Sequence, residues 1–252
     1  MPADLTLLDV VAIALIGVCW FGYSFALERF ASGSLNAQLS TVRTHWVRAM
    51  TRRVIRPFDA ILIGHITNAI AFFGSATLLV LAGVISVFTI VGDVHDIVSR
   101  IGFVERVSLE KFELKVAFVA LTLAICFFSF TYSLRKLVYL IALLGALPHE
   151  DDKVSTTPAM VQSTATVMTE AIRTFNLGIR GYYYAIAALC WIASPVASIA
   201  ATIIVTFTLF YRQLSTPTSD AIAEYVRAAE ALQEIETKAP KMQPTSEQER
   251  AL

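Results

Sequence analysis

The chain has 252 residues, of which 56% are hydrophobic and 16% charged, too apolar for an ordinary soluble domain. Its 20 Lys and Arg balance 20 Asp and Glu, so there is no global basic footprint for nucleic acid. Cys19, Cys126 and Cys190 each sit in an apolar run without a partner at metal-ligand or redox spacing, and read as small buried hydrophobes.

Residues 5–27 form the first apolar stretch. It begins beside Asp4 and Asp9 and meets its first basic side chain only at Arg29. A secretory signal would open on Lys or Arg and have a shorter apolar region, so a retained membrane helix is expected. Residues 35–56 then change character. Leu35, Leu39, Val42, Trp46 and Ala49 make an apolar stripe at helical spacing, while Arg48, Arg52 and Arg56 make a basic ridge helped by Arg43 and Arg53. Two readings stay open: a helix lying in the membrane interface with its cationic face toward headgroups, or a basic cytoplasmic helix packed on its own protein. Pro57 bends the chain into the next span.

That second span, 59–91, carries no acidic, Lys or Arg side chain after Asp59, and about 20 apolar residues suffice to cross a bilayer core. His65, Asn68, Phe72 and Ser75 share one side of it, with Gly64 beside them. His and Asn are unwelcome in lipid, so this side is expected to face the other helices. His65, Asn68 and Ser75 are therefore the intramembrane polar candidates, serving interhelical hydrogen bonds or lining a polar pathway.

A polar connection of mixed charge, 92–110, leads to a long helical pattern over 111–147. Its membrane part is placed at 116–134, with Arg135 and Lys136 at the exit and Lys111 and Lys115 snorkelling at the other end. The helix would be roughly 55 Å long, so its apolar end, 137–147, projects from the membrane and needs protein to cover it. The cluster His149-Glu150-Asp151-Asp152 lies in a polar loop; such a turn is more often solvated than metal-binding, and no metal or cofactor is expected.

Thr157-Pro158 reads as an N-cap followed by proline at the first helical position. Val161, Ala165, Met168, Ile172, Phe175 and Ile179 follow as one stripe, the expected cover for 137–147. The fourth span is placed at 181–211, kinked near its middle by Pro195. Ala193, Ala197 and Ala201 form a small-residue ridge along it that would let helices approach closely. Thr216-Pro217 repeats the cap signal before a modest amphipathic helix, and 241–252 is polar, with the composition of a disordered tail. The chain thus divides into 1–216, a four-span membrane domain with a cytoplasmic helical layer, and 217–252.

Four spans put both termini on one side. Arg29, Arg56, Arg135, Lys136 and Arg180 all flank spans on the opposite side, which the positive-inside rule makes cytoplasmic. Both termini are then expected outside, with Arg212, Lys111 and Lys115 as the main contrary signal.

Four separated pieces, in order, resemble the membrane proteins of the domain-of-unknown-function 599 family. They are RTHWVRAMTRR (43–53), Asp59 with Asn68 and Phe72-Phe73, SLRKLVYLIALLGALP (133–148) and RTFNLGIRGYYYAIAALCWIASP (173–195). The chain departs from the pattern at Lys136 and Val138, where the family has Gln and Asn. The resemblance implies a four-span bacterial or plant membrane protein and brings no activity with it.

No phosphate loop, zinc-protease helix, paired CxxC or nucleophile elbow is present in the sequence. The expected fold is an all-α polytopic membrane bundle in the bacterial inner membrane. Its expected role is non-enzymatic: structural or assembly work, self-association into a homo-oligomer, or lipid-headgroup binding, with a channel or transporter past His65 and Asn68 as the alternative. Arg173, Asn176 and Arg180 share one helix side just before the fourth span. With Arg48, Arg52 and Arg56 they are the candidates for binding anionic headgroups, since guanidinium groups hold phosphate bidentately.

Overall fold

A computed structural model describes residues 4–30, 35–53, 57–148 and 157–238. Every regular element among them is helical: α1 (Leu7–Phe30), α2 (Leu35–Thr51), α3 (Pro57–Ser86), α4 (Val91–Ser99) after a short 3-10 turn, α5 (Leu109–Ala146), α6 (Pro158–Ala193), α7 (Pro195–Leu214) and α8 (Pro217–Lys238). Four stretches are long and apolar enough to cross a membrane, namely Leu7–Leu27, Pro57–Ser99, Leu109–Ala146 and Pro195–Leu232.

The antiparallel pair α5–α6 is the spine. Its two helices touch from Phe118 against Trp191, through Cys126 beside Gly181 and Phe130 beside Gly178, to Ser133, whose hydroxyl donates to the Ala171 carbonyl at 2.7 Å. Glycine is required at the two close approaches: a Cβ on Gly178 would lie 2.6 Å from the Phe130 ring, and one on Gly181 would lie 2.5 Å from Trp20. Beyond the apolar layer the pair continues, and Leu137, Leu140 and Leu147 are buried in one core with Val161, Ala165 and Met168. The cover expected for 137–147 is therefore in place, capped at its start by Thr157, which accepts from the Met160 amide.

The chain reverses at Ser194-Pro195, where a single kinked span was expected. Ser194 is extended and caps α7 by accepting from the Ala197 amide. Ser198 then donates to the Ala187 carbonyl at 2.9 Å, Tyr184 and Thr206 share a hydrogen bond at 3.1 Å, and Arg212 donates to the Tyr183 hydroxyl at 3.1 Å. These contacts make α6 and α7 a helical hairpin. The polar positions Ser198 and Thr202 fill its buried seam, with Pro195, while Ala193, Ala197 and Ala201 flank it half-buried. Because α6 runs antiparallel beside the apolar part of α5 and α7 returns along it, Asp4 and the start of α8 lie at opposite ends of the helices. The expectation of one unbroken fourth span does not include this arrangement.

A buried ionic knot closes the end where the chain starts. Lys111 Nζ lies 2.8 Å from Asp9 Oδ2 with both side chains at most 1% exposed, and Trp191 Nε1 donates to Asp9 Oδ1 at 2.8 Å. Asp4 accepts from the amide and hydroxyl of Ser108, both at 2.8 Å, and Ser108 in turn caps α5. The Ser108 amide bond, chiefly, holds the Asp4 carboxyl below the usual carboxylate range. Lys111 and Lys115, expected to snorkel outward, are both buried. The paired acids on α1 and the loop before α5 make inward burial of Lys111 the cheaper arrangement.

α3 sits at the edge of the bundle and packs on α5. Its buried face is Asp59, Ile63, Ile70, Gly74 and Thr77. Asp59 is held by the Trp46 indole at 2.7 Å and by Arg53. His65, Asn68 and Ser75 are exposed on the opposite side, so the expectation that they face the other helices is corrected. Any passage past them does not run between the described helices of this chain. The periodicity is right and the phase is not, because both arcs of α3 are apolar enough to be buried.

Candidate functional site

At the opposite end from the ionic knot, where the spans give way to a basic layer, lies a cavity of about 410 Å³. α2 packs across α6 there, and the i, i+3, i+7 spacing of Asn36, Leu39 and Arg43 turns one face inward. α6 contributes Ile172, Asn176, Ile179, Arg180 and Tyr183, again one helix face, and α7 contributes Leu209, Arg212 and Gln213. Tyr23 of α1 supplies a wall, and its hydroxyl is tied to the Leu209 carbonyl at 2.9 Å.

Arg180 dominates the electrostatics. Its side chain is buried, with the residue 7% exposed. Nη2 donates to the Ser24 hydroxyl at 2.9 Å and the guanidinium carbon lies 4.9 Å from the Tyr23 ring centre. Nε has no hydrogen-bond partner, and neither does the nearby Gln213 Oε1. Arg43 and Arg212 share the cavity, and none of its described lining residues is acidic. Burial lowers the pKa of Arg43, a charge taken out of water. Three guanidinium groups around an apolar-walled space, with no carboxylate among the described lining residues, have the chemistry to hold an anion. The walls of Leu35, Leu39, Ile172 and Leu209 favour an anion that carries an apolar part.

The candidate residues read from sequence are only partly assembled here. Asn176 and Arg180 line the cavity. Arg173, one turn before, points away: it is exposed and lies 3.6 Å from Glu170. Arg48 and Arg52 of the basic ridge are not among the lining residues, while Arg56 and the cluster His149-Glu150-Asp151-Asp152 lie outside the described residues. α2 itself packs on α6 and α8, which favours the reading of a helix seated on its own protein. Of Tyr182, Tyr183 and Tyr184, read as an interfacial belt, two turn inward. Tyr184 is fully buried and Tyr182 is hydrogen-bonded to Thr77.

A family model described as "Protein of unknown function, DUF599" matches residues 11–218. The chain belongs to the DUF599 family. No curated protein and no solved structure matches it. Every residue lining the cavity, from Tyr23 to Thr218, falls inside the matched segment of this DUF599 protein, whereas most of α8 falls outside it. At Lys136, Nζ donates to Thr174 Oγ1 at 2.7 Å, so a polar side chain bridges α5 and α6. Val138 is exposed.

Arg43 and Arg212 were missed as site residues. Arg43 was legible as one turn beyond Leu39 on the apolar stripe, the wrong place for a solvated charge. Arg212 was assigned to the far side of the membrane by the unbroken fourth span, and only the hairpin brings it to Tyr183 and Arg43.

Proposed function

We propose that this DUF599 protein is a non-enzymatic membrane protein that binds the phosphate of an anionic lipid headgroup in the Arg43–Arg180–Arg212 cavity. One observation carries the reading. A nearly buried arginine with an unpartnered Nε faces a space shared with two further arginines and no acid among its described lining residues, and a buried charge short of partners is expensive to keep. A phosphate would supply the missing acceptors to the guanidinium groups, and its glycerol and first methylenes would meet Leu39, Ile172 and Leu209.

The cavity-bearing end is also the cytoplasmic one in this reading. With α7 returning to it, Arg29, Arg43, Arg48, Arg52, Arg53, Arg135, Lys136, Arg173, Arg180 and Arg212 lie at that end, against Arg100, Arg106, Lys111 and Lys115 at the other, the distribution that the positive-inside rule describes. The chain start is then outside and α8 inside. A cysteine placed at exposed Gly102 should react with a membrane-impermeant thiol reagent in intact cells, and one at exposed Ala228 should react only after lysis. The reverse pattern would invert the orientation.

Lipid binding is tested by native mass spectrometry of the purified protein from mixed anionic and zwitterionic vesicles. Removing two cavity charges with Arg43→Gln and Arg212→Gln should cost about 2 kcal/mol, roughly thirtyfold in anionic-lipid retention. Arg173→Gln, outside the cavity, should leave retention unchanged. Equal losses from both would mean a diffuse surface attraction, and no loss from the cavity pair would reject the site.

A further inference from the structure

We infer that α3 is the contact surface between two copies of this chain, packed in parallel about a two-fold axis along the membrane normal, with Asn68 facing Asn68. Ile61, His65, Asn68, Phe72, Ser75, Leu79, Ala82 and Ser86 succeed one another at alternating spacings of four and three, and all are exposed. That is the 3.5-residue repeat of a left-handed helix pair. It lies on the side of α3 opposite the face buried on α5, Asp59, Ile63, Ile70, Gly74 and Thr77. Small or polar positions alternate with Ile61, Phe72 and Leu79, giving knobs and recesses on one surface.

Depth decides who covers it. Asp59 is anchored at the basic-layer end of the bundle by Trp46 and Arg53, and Asn68 lies about 14 Å further along at 1.5 Å per residue, near the middle of a core about 30 Å thick. Lipid chains offer no hydrogen-bond partner to His65, Asn68 or Ser75. A covering helix must therefore carry polar groups at the same depth and no charge. A second copy does so by symmetry, because all copies insert with one orientation and a two-fold axis along the normal sets equal positions at equal depth. Asn and neutral His each hold a donor and an acceptor, so identical side chains satisfy one another. From 60 to 92 the chain has no Asp, Glu, Lys or Arg, so the two copies meet without like-charge repulsion. This inference is independent of the cavity.

The test uses the full-length protein in lipid nanodiscs and in native membranes. Asn68→Cys, Phe72→Cys and Ser75→Cys should each form a disulfide-linked dimer above the background of the parental chain. Leu78→Cys, exposed but off the seam, should not. Native mass spectrometry should find dimers whose dissociation constant rises about tenfold in the double variant His65→Leu, Asn68→Leu, at about threefold per lost interhelical hydrogen bond. A monomeric parental protein, crosslinking as strong at 78 as at 68, an unchanged dissociation constant, or crosslinks from 68 to a different protein would each overturn the inference.

Discussion

Asp9→Ala is expected to destabilise the protein by about 3–5 kcal/mol, the usual consequence of removing one partner of a buried ion pair. Asp9 holds Lys111 Nζ at 2.8 Å, the Trp191 indole at 2.8 Å, and the Thr6 amide and hydroxyl at 2.8 and 2.7 Å. Without the carboxylate, Lys111 is a buried cation whose other contacts are the Asp4 carbonyl at 3.3 Å and Glu105 at 3.8 Å. Lys115, itself buried and with Nζ unpartnered, gains nothing to offset it. Since folded domains are stable by only about 5–15 kcal/mol, the variant should unfold at markedly lower temperature in detergent. The double variant Asp9→Leu, Lys111→Met should recover much of the loss, because an apolar pair replaces an ionic one at little net cost. A single variant as stable as the parent would show that the knot contributes nothing to holding α1, α5 and α6 together.

Gly181→Ala should also destabilise, by about 1–3 kcal/mol from overpacking, although alanine is the better helix former by about 1 kcal/mol. The added methyl falls 2.5 Å from the Trp20 ring and closer still to the Cys126 sulfur. Trp20 cannot swing aside without breaking its indole bond to the Leu177 carbonyl at 3.1 Å. Gly22→Ala, where nothing lies within 4 Å, is the matching control and should be neutral or slightly stabilising. Equal effects at both positions, read as thermal midpoints, would remove close α5–α6–α1 packing from the account.

Much of the architecture was readable from residue order alone. Thr157-Pro158 placed the start of α6, the stripe from Val161 to Ile179 predicted its partner, and the uncharged run after Asp59 predicted α3. The reversal at Ser194 was missed even though its signal was in plain view. Ser194-Pro195 is the same cap-plus-proline pair as Thr157-Pro158 and Thr216-Pro217, and all three hydroxyls accept a backbone amide in the structure. Continuous apolar sequence on both sides made a kink look sufficient, because hydropathy carries no information about chain direction. The cavity was half legible for the same reason: Asn176 and Arg180 share a helix, whereas Arg43 and Arg212 join them only through the hairpin and the α2–α6 contact. The outward turn of His65 and Asn68 was illegible because a helix pattern gives the period of a face and leaves its partner open.

The hairpin also bears on the order of membrane insertion. α1, α3, α5 and α7 lie in stretches apolar enough to partition into lipid one at a time, but α6 does not. Its half beside α5 holds Arg180 and three tyrosines, and charged residues lower the tendency of a helix to partition alone. Residues 181–193 are therefore expected to enter the layer together with Pro195–Leu214, as one hairpin packed on α5.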